Sequence, residues 1–129
     1  MKTLLIFLVL FSFENLVFSQ ENDCQSLRKG KFLLLDSIAG NTQIKRNKRI
    51  QIEKGEKSGM KSKYKVTWLD ECTYSLRLIK VLKNSKEINI PENVILNVEI
   101  IEVTEKSYVV VSSLNLGDKT LKRTILILN

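Results

Sequence analysis

The sequence predicts an all-β domain, a seven- to eight-stranded antiparallel meander. From residue 29 onward apolar residues recur at every second position, and these stretches are rich in Val, Ile, Leu, Thr and Tyr, which is typical of strands with one buried face. Clusters of Gly, Asn, Asp and Lys interrupt the alternation at short intervals, as turns do. A closed barrel is favoured over a β-sandwich because closure removes the exposed sheet edges.

The first strands are predicted before residue 55. Alternation predicts one strand over residues 30–36 and another over residues 42–46. The stretch 49–54 is either a third strand or the continuation of the second across Asn47 and Lys48.

The clearest strand covers residues 63–69, because its two faces differ in polarity. Tyr64, Val66 and Trp68 fall on one face, and polar side chains fall on the other. After polar residues 70–72, which are typical of a turn, Tyr74 and Leu76 continue the apolar face on the next strand. We expect these five side chains to face the barrel interior, where they either pack as core or line a small-molecule cavity. After residue 78 the alternation slips, which indicates either a bulge or a segment covered on both faces.

The C-terminal third predicts a three-stranded meander. Strands are expected over residues 94–104, 107–114 and 120–128. A tight turn at residues 105–106 joins the first two, and a turn through Gly117 and Asp118 joins the last two.

The N-terminus has the features of a cleavable export signal. Lys2 gives a positive start, an apolar run covers residues 4–13, and Ser19 is a small residue at a suitable cleavage position. Residues 1–19 are therefore predicted to be a signal peptide, and residues 20–129 a single exported all-β domain, periplasmic or secreted. No later stretch approaches the ~20 apolar residues of a membrane span, so no transmembrane segment is expected after cleavage.

The chain has two cysteines, Cys24 and Cys72, and both lie in the part predicted to be exported. An even count in an oxidising compartment favours one disulfide bond. A catalytic thiol or a metal site is disfavoured, because the chain has no histidine and no CxxC spacing.

Positive charge is concentrated in one segment. Residues 45–65 hold nine of the 21 basic residues and two of the 14 acidic residues. This cluster either attracts a polyanion or an anionic surface, or keeps an exposed face soluble. The expected basic patch consists of Lys45, Arg46, Lys48, Arg49, Lys61, Lys63 and Lys65. Nucleic acid is not expected as a partner, because the neighbouring aromatic residues alternate toward the core and offer no stacking surface.

No catalytic constellation is predicted. The absence of histidine excludes Ser/His/Asp and Cys/His systems, and the one adjacent acidic pair, Asp70 and Glu71, lies in a predicted turn. The five scattered glycines form no phosphate-binding loop. We therefore predict a protein without enzymatic activity, metal or cofactor.

Trp68, Asp70, Cys72 and Tyr74 form a W-x-D-x-C-x-Y block. Together with Cys24 and the start of the first strand, this block resembles a family of small exported bacterial proteins without established activity. The resemblance implies a pairing of Cys24 with Cys72. Some members carry the label "DNA topoisomerase IV", which conflicts with the absence of an ATP-binding glycine loop and of an acidic metal cluster here.

A second resemblance is to lipocalins and related barrels. Gly30, Lys31 and Phe32 open the first strand where those families place G-x-W, and Lys122 or Arg123 falls in the last strand. The chain departs from the motif at Phe32. This leaves two hypotheses: an exported barrel that binds a small apolar ligand or an envelope polyanion, and a filled barrel that serves as a structural or protein-interaction module of the envelope.

Overall fold

The computed structural model describes residues 23–115 and 117–128, and the predicted signal segment, residues 1–19, lies outside them. A short 3₁₀ helix, Asp23–Arg28, precedes eight strands. The strands are β1 (Gly30–Leu34), β2 (Thr42–Arg46), β3 (Ile50–Gly55), β4 (Lys61–Trp68), β5 (Thr73–Lys83), β6 (Ile95–Val103), β7 (Ser107–Leu114) and β8 (Thr120–Ile127).

The strands form a closed antiparallel barrel in sequence order. Each strand pairs with the next, and β1 pairs with β8 through the three positions Phe32↔Ile127, Leu33↔Leu126 and Leu34↔Ile125. The prediction of a barrel in preference to a sandwich is therefore confirmed.

The stretch after Arg46 is a hairpin rather than a continuation of β2. The side-chain oxygen of Asn47 accepts hydrogen bonds from the backbone amides of Arg49 and Ile50 at 2.9 Å, which tightens the reversal. β2 and β3 then pair antiparallel from Arg46↔Gln51 onward.

Strand β5 has two extra residues relative to β4, Ile79 and Leu82, at the points where the register shifts. Both side chains are exposed. The slip in alternation after residue 78 is therefore a bulge, and not a segment covered on both faces. Bulges increase the local twist of a strand, which helps a long strand to follow a barrel wall.

The barrel has two different ends. The connections β2–β3, β4–β5 and β6–β7 lie at one end together with the 3₁₀ helix, and we call this the capped end. The other four connections lie at the opposite end, which we call the loop end.

The capped end is closed by a disulfide and by stacked side chains. Cys24 and Cys72 are disulfide-bonded with their Cα atoms 5.3 Å apart, which joins the 3₁₀ helix to the β4–β5 turn and confirms the predicted bond. Leu27 of the helix is 1% exposed. The Arg28 guanidinium carbon lies 4.7 Å from the centroid of the Trp68 ring, a cation–π contact over the mouth of the barrel.

At the loop end, the β1–β2 connection is held by Asp36. Its carboxylate accepts hydrogen bonds from the backbone amides of Ile38 and Ala39 at 2.9 and 3.0 Å, and these bonds are the main reason that the pKa of Asp36 is lowered. Gly40 has φ +89°, and a Cβ there would lie 2.6 Å from the Cβ of Lys57. A side chain at Gly40 would therefore disturb the packing of this loop against the β3–β4 connection.

Candidate functional site

The five residues predicted to face the interior lie on the inner face of β4 and β5. Val66, Tyr74 and Leu76 are buried in the core, and Tyr64 and Trp68 are partly buried and pack against it. Trp68 lies opposite Tyr74 in the β4–β5 pair, with ring centroids 4.6 Å apart.

The interior also contains a charged residue that was expected at the surface. Arg46 is 3% exposed, so its assignment to the basic patch is wrong. Arg46 follows Ile44 by two residues on β2, and both side chains therefore point into the barrel. The arginine can be buried because the interior supplies a hydrogen-bond acceptor to each of its three side-chain nitrogens.

Four hydrogen bonds hold the Arg46 guanidinium. Nε donates to Oε1 of Gln51 at 2.7 Å, and Nη1 donates to the carbonyl oxygen of Leu27 at 2.7 Å. Nη2 donates to the hydroxyls of Tyr74 and Tyr108 at 3.0 and 3.2 Å. The planar guanidinium thus links β3, β5, β7 and the 3₁₀ helix at one level of the barrel.

Aromatic rings enclose the same guanidinium. Its carbon lies 4.8 Å from the ring centroids of both Phe32 and Tyr74. Burial raises the pKa of Tyr74 and Tyr108, so both phenols keep their protons at neutral pH. Burial by itself lowers the pKa of Arg46, but its phenol and carboxylate neighbours outweigh this and the net direction is upward. We call Arg46 and its contacts the arginine layer.

Gln51 connects the arginine layer to a carboxylate. Its Oε1 accepts from Arg46, so its Nε2 is the free donor, and it donates to Oε2 of Glu53 at 2.6 Å. Among the described residues, Gln51 is the one that donates a hydrogen bond to the Glu53 carboxylate. Burial raises the pKa of Glu53, and the Gln51 hydrogen bond and the Arg46 charge only partly oppose this.

A hollow of about 190 Å³ lies directly above the arginine layer, toward the loop end. Gln51 and Tyr74, which both bind Arg46, form part of its floor. Most of its wall is aliphatic, and Glu53, Ser112 and Arg123 are its other polar side chains. The apolar lining consists of Leu34, Ile44, Leu76, Leu96, Val98, Val110, Leu121 and Ile125.

A second hollow, of about 230 Å³, adjoins the first. The two share Glu53, Leu76 and Leu96 along their walls. The second hollow lies under the β5–β6 connection, which contributes Ile90, Pro91 and Val94. Burial and the nearby Glu53 carboxylate raise the pKa of Tyr64, which also lines it, to about 12.

Both hollows reach the solvent at the loop end. Leu121 lines the first and Leu114 lines the second, and both side chains are exposed. At this rim Arg123 of β8 forms a salt bridge with Asp36, with Nη2 3.1 Å from Oδ2. The rim is therefore where the two hollows open to solvent.

The other residues of the predicted basic patch are on the outside. Lys45, Lys61 and Lys65 are exposed and Lys63 is partly exposed, all on the outer face of β2 and β4. The remaining two, Lys48 and Arg49, are exposed in the β2–β3 hairpin at the capped end.

The sequence did not predict several interior polar residues, among them Gln51, Glu53, Tyr108 and Arg123. Tyr108 and Arg123 lie in strands with clear alternation, and Tyr108 shares a face with Val110 and Arg123 with Ile125. That spacing is a signal for both. On β3 the spacing is misleading. The alternating Ile50 and Ile52 suggest that these two side chains form the inner face of the strand, but they lie on its outer face.

Among residues 23–115 and 117–128, no group of three or more Cys, Asp and Glu side chains is arranged to hold a metal ion. Over the same residues no helix has the length and apolar character needed to cross a bilayer. Comparison of the chain with protein-family models, with curated proteins and with solved structures finds no match.

Proposed function

We propose that this protein binds a small, mainly apolar molecule inside the barrel and does so without catalysis. One observation carries the proposal: the half of the interior nearest the loop end is hollow, aliphatic and open to solvent. Each hollow is smaller than the ~300–1,000 Å³ of typical ligand pockets, and the two together reach that range.

Glu53 supports a more specific description of the ligand. It lines both hollows, and the hydrogen bond from Gln51 occupies one of its oxygens. A carboxylate in an aliphatic cavity favours a ligand that brings a hydrogen-bond donor or a positive charge, because such a group compensates the cost of burying the carboxylate. The proposed ligand therefore has an apolar body and one donating polar group.

The arginine layer explains why binding would be confined to one half of the barrel. Gln51 and Tyr74 form hydrogen bonds with Arg46, which fixes the floor of the first hollow, and the disulfide and the 3₁₀ helix lie beneath it. A filled barrel that only supports protein contacts would not need hollows at its loop end.

The test uses the purified protein and the neutral fluorescent probe N-phenyl-1-naphthylamine, which has an apolar body and one N–H donor. Leu96→Trp fills the boundary of the two hollows, and Val111→Trp on the outer face of β7 is the control. Glu53→Gln replaces the carboxylate that lines both hollows with a neutral amide of nearly the same volume.

We expect saturable binding by the unmodified protein and by Val111→Trp, and a loss of about tenfold or more in Leu96→Trp. Glu53→Gln should weaken binding several-fold. This variant should unfold as cooperatively as the unmodified protein, so it keeps the test valid if the tryptophan variant folds poorly. Absence of probe binding, or equal binding by both tryptophan variants, would refute the proposal.

A further inference from the structure

The outer face of β1–β5 has a charge arrangement that interior binding does not use. These five strands contain one acidic residue, Glu53, and it faces the interior. Their outward cations form what we call the basic wall: Lys31, Lys45, Lys54, Lys61, Lys63, Lys65, Arg77, Lys80 and Lys83.

Cations on the basic wall lie directly opposite other cations. The register places five such pairs across neighbouring strands: Lys31↔Lys45, Lys54↔Lys61, Lys61↔Lys83, Lys63↔Lys80 and Lys65↔Arg77. Like charges in directly opposed positions destabilise a sheet. The salt bridge found between described residues joins Arg123 to Asp36. It therefore neutralises none of the cations on β4 or β5.

The opposite side of the barrel lacks this arrangement. Strands β6 and β7 contain Glu99 and Glu102 and no basic residue. Positive charge on the outward strand faces is thus concentrated on β1–β5, without the interspersed negative charge that is typical of a surface that serves only solubility.

The basic wall also has a shape that can receive a chain. A shallow groove of about 520 Å³ crosses β1–β3 and reaches the start of β4, with Lys31, Lys45, Lys54 and Lys61 along it. Among the described residues, the carboxylate that lines the groove is that of Glu56, and it accepts a hydrogen bond from Gln43 at 3.1 Å.

We propose that the basic wall binds a flexible linear polyanion, a polymer whose repeating phosphate, sulfate or carboxylate groups carry no stacking bases. Neighbouring strands lie ~4.8 Å apart, so opposed cations such as Lys63 and Lys80 can contact successive anionic groups. Binding neutralises charges that repel one another in the free protein, and it releases the counterions of the polymer.

The wall is less suited to the two main alternatives. The described aromatic residues are buried or partly buried inside the barrel, so the wall lacks the stacking surfaces of single-stranded nucleic-acid sites. It also lacks the aromatic anchors of membrane-surface proteins, and its convex curvature limits contact with a flat bilayer. A flexible chain, in contrast, can follow the curvature.

The test measures binding of fluorescently labelled inorganic polyphosphate over a range of salt concentrations. The variant Lys61→Gln/Lys63→Gln/Lys65→Gln removes the three lysines of β4. The control Lys106→Gln/Lys119→Gln/Lys122→Gln removes the same charge from exposed positions elsewhere. A second wall variant, Lys45→Gln/Lys54→Gln/Lys80→Gln, keeps the test valid if the first folds poorly.

We expect either wall variant to weaken binding by about tenfold or more and to reduce the slope of log K against log [salt], whereas the control stays within about twofold. Wall variants should also unfold at equal or higher denaturant concentration, because repulsion is relieved, and should bind the naphthylamine probe normally.

Equal losses in wall and control variants, or no binding near physiological salt, would overturn the proposal. Tighter binding to single-stranded DNA or to phosphatidylglycerol vesicles than to polyphosphate would also overturn it.

Discussion

The capped half and the loop half of the barrel each hold a charged side chain that points inward, a buried Arg46 and a partly buried Glu53, but they surround it differently. Arg46 in the capped half has four hydrogen bonds, and its guanidinium carbon lies 4.8 Å from the centroids of two aromatic rings. Glu53 in the loop half accepts one hydrogen bond from a described residue and faces two hollows. A charge whose nitrogens all have hydrogen-bond partners supports the fold, whereas a charge with few partners lowers stability and leaves a group free to bind a ligand.

The largest expected effect is the loss of the arginine layer. Arg46→Met should lower the free energy of unfolding by about 5 kcal/mol, because Gln51, Leu27 and two tyrosines lose their donor while remaining buried. Denaturant unfolding measures this, with Lys45→Met as the outward-facing control on the same strand. A loss below about 1 kcal/mol would show that the capped half does not depend on this arginine.

Removal of the disulfide should also weaken the capped half. Cys24→Ala with Cys72→Ala releases a constraint between residues 48 apart in the sequence, which corresponds to about 4 kcal/mol in the chain-entropy model. Reductant should shift the denaturation midpoint of the unmodified protein to that of the double variant. An unchanged midpoint would mean that the bond constrains the unfolded chain little.

Truncation of one leucine in each half compares their packing directly. Leu27→Ala in the capped half should cost about 3 kcal/mol, because Leu27 is 1% exposed and its loss leaves a cavity. Leu96→Ala should cost about 1.5 kcal/mol, because this side chain already borders the hollows. Equal losses in denaturant unfolding would remove the distinction between the halves.

The smallest expected effect has the opposite sign and depends on pH. The folded-state pKa of Glu53 is raised, so folding is favoured at low pH and loses stability as pH rises from the unfolded-state pKa through the folded one. Glu53→Gln should therefore be slightly more stable than the unmodified protein at neutral pH, and this difference should disappear in acid. Thermal unfolding across pH measures it, and a less stable variant at neutral pH would contradict the prediction.

Alternation in the sequence predicts the fold well because most strands have one apolar face. Val66, Tyr74 and Leu76 are separated by even steps within their strands and lie in the core. The same spacing places Arg46 beside Ile44 on the inner face, but the general preference of charge for solvent argues the other way. Whether Arg46 points inward or outward is decided by the hydrogen-bond acceptors that strands distant in the sequence supply. These acceptors cannot be recognised from the residues that neighbour Arg46 in the sequence.

Strand β3 shows why the candidate site could not be predicted. Its isoleucines, Ile50 and Ile52, suggest an apolar inner face, yet the hairpin register pairs Arg46 with Gln51 and Ile44 with Glu53. Opposed residues in an antiparallel pair share a face, so Gln51 and Glu53 lie inside. The site therefore depends on the turn at residues 47–49, and local polarity points to the wrong face.

The β1–β8 pairing determines how the chain must fold. It is the shortest ladder of the barrel, with three paired positions, and it joins Phe32 to Ile127 across nearly the whole described chain. Such non-local contacts form slowly, because the entropy of closing a long loop is lost before the contacts compensate it. We therefore expect the hairpins to form first and the barrel to close last, and the β1–β8 seam to be where native-state hydrogen exchange first detects opening.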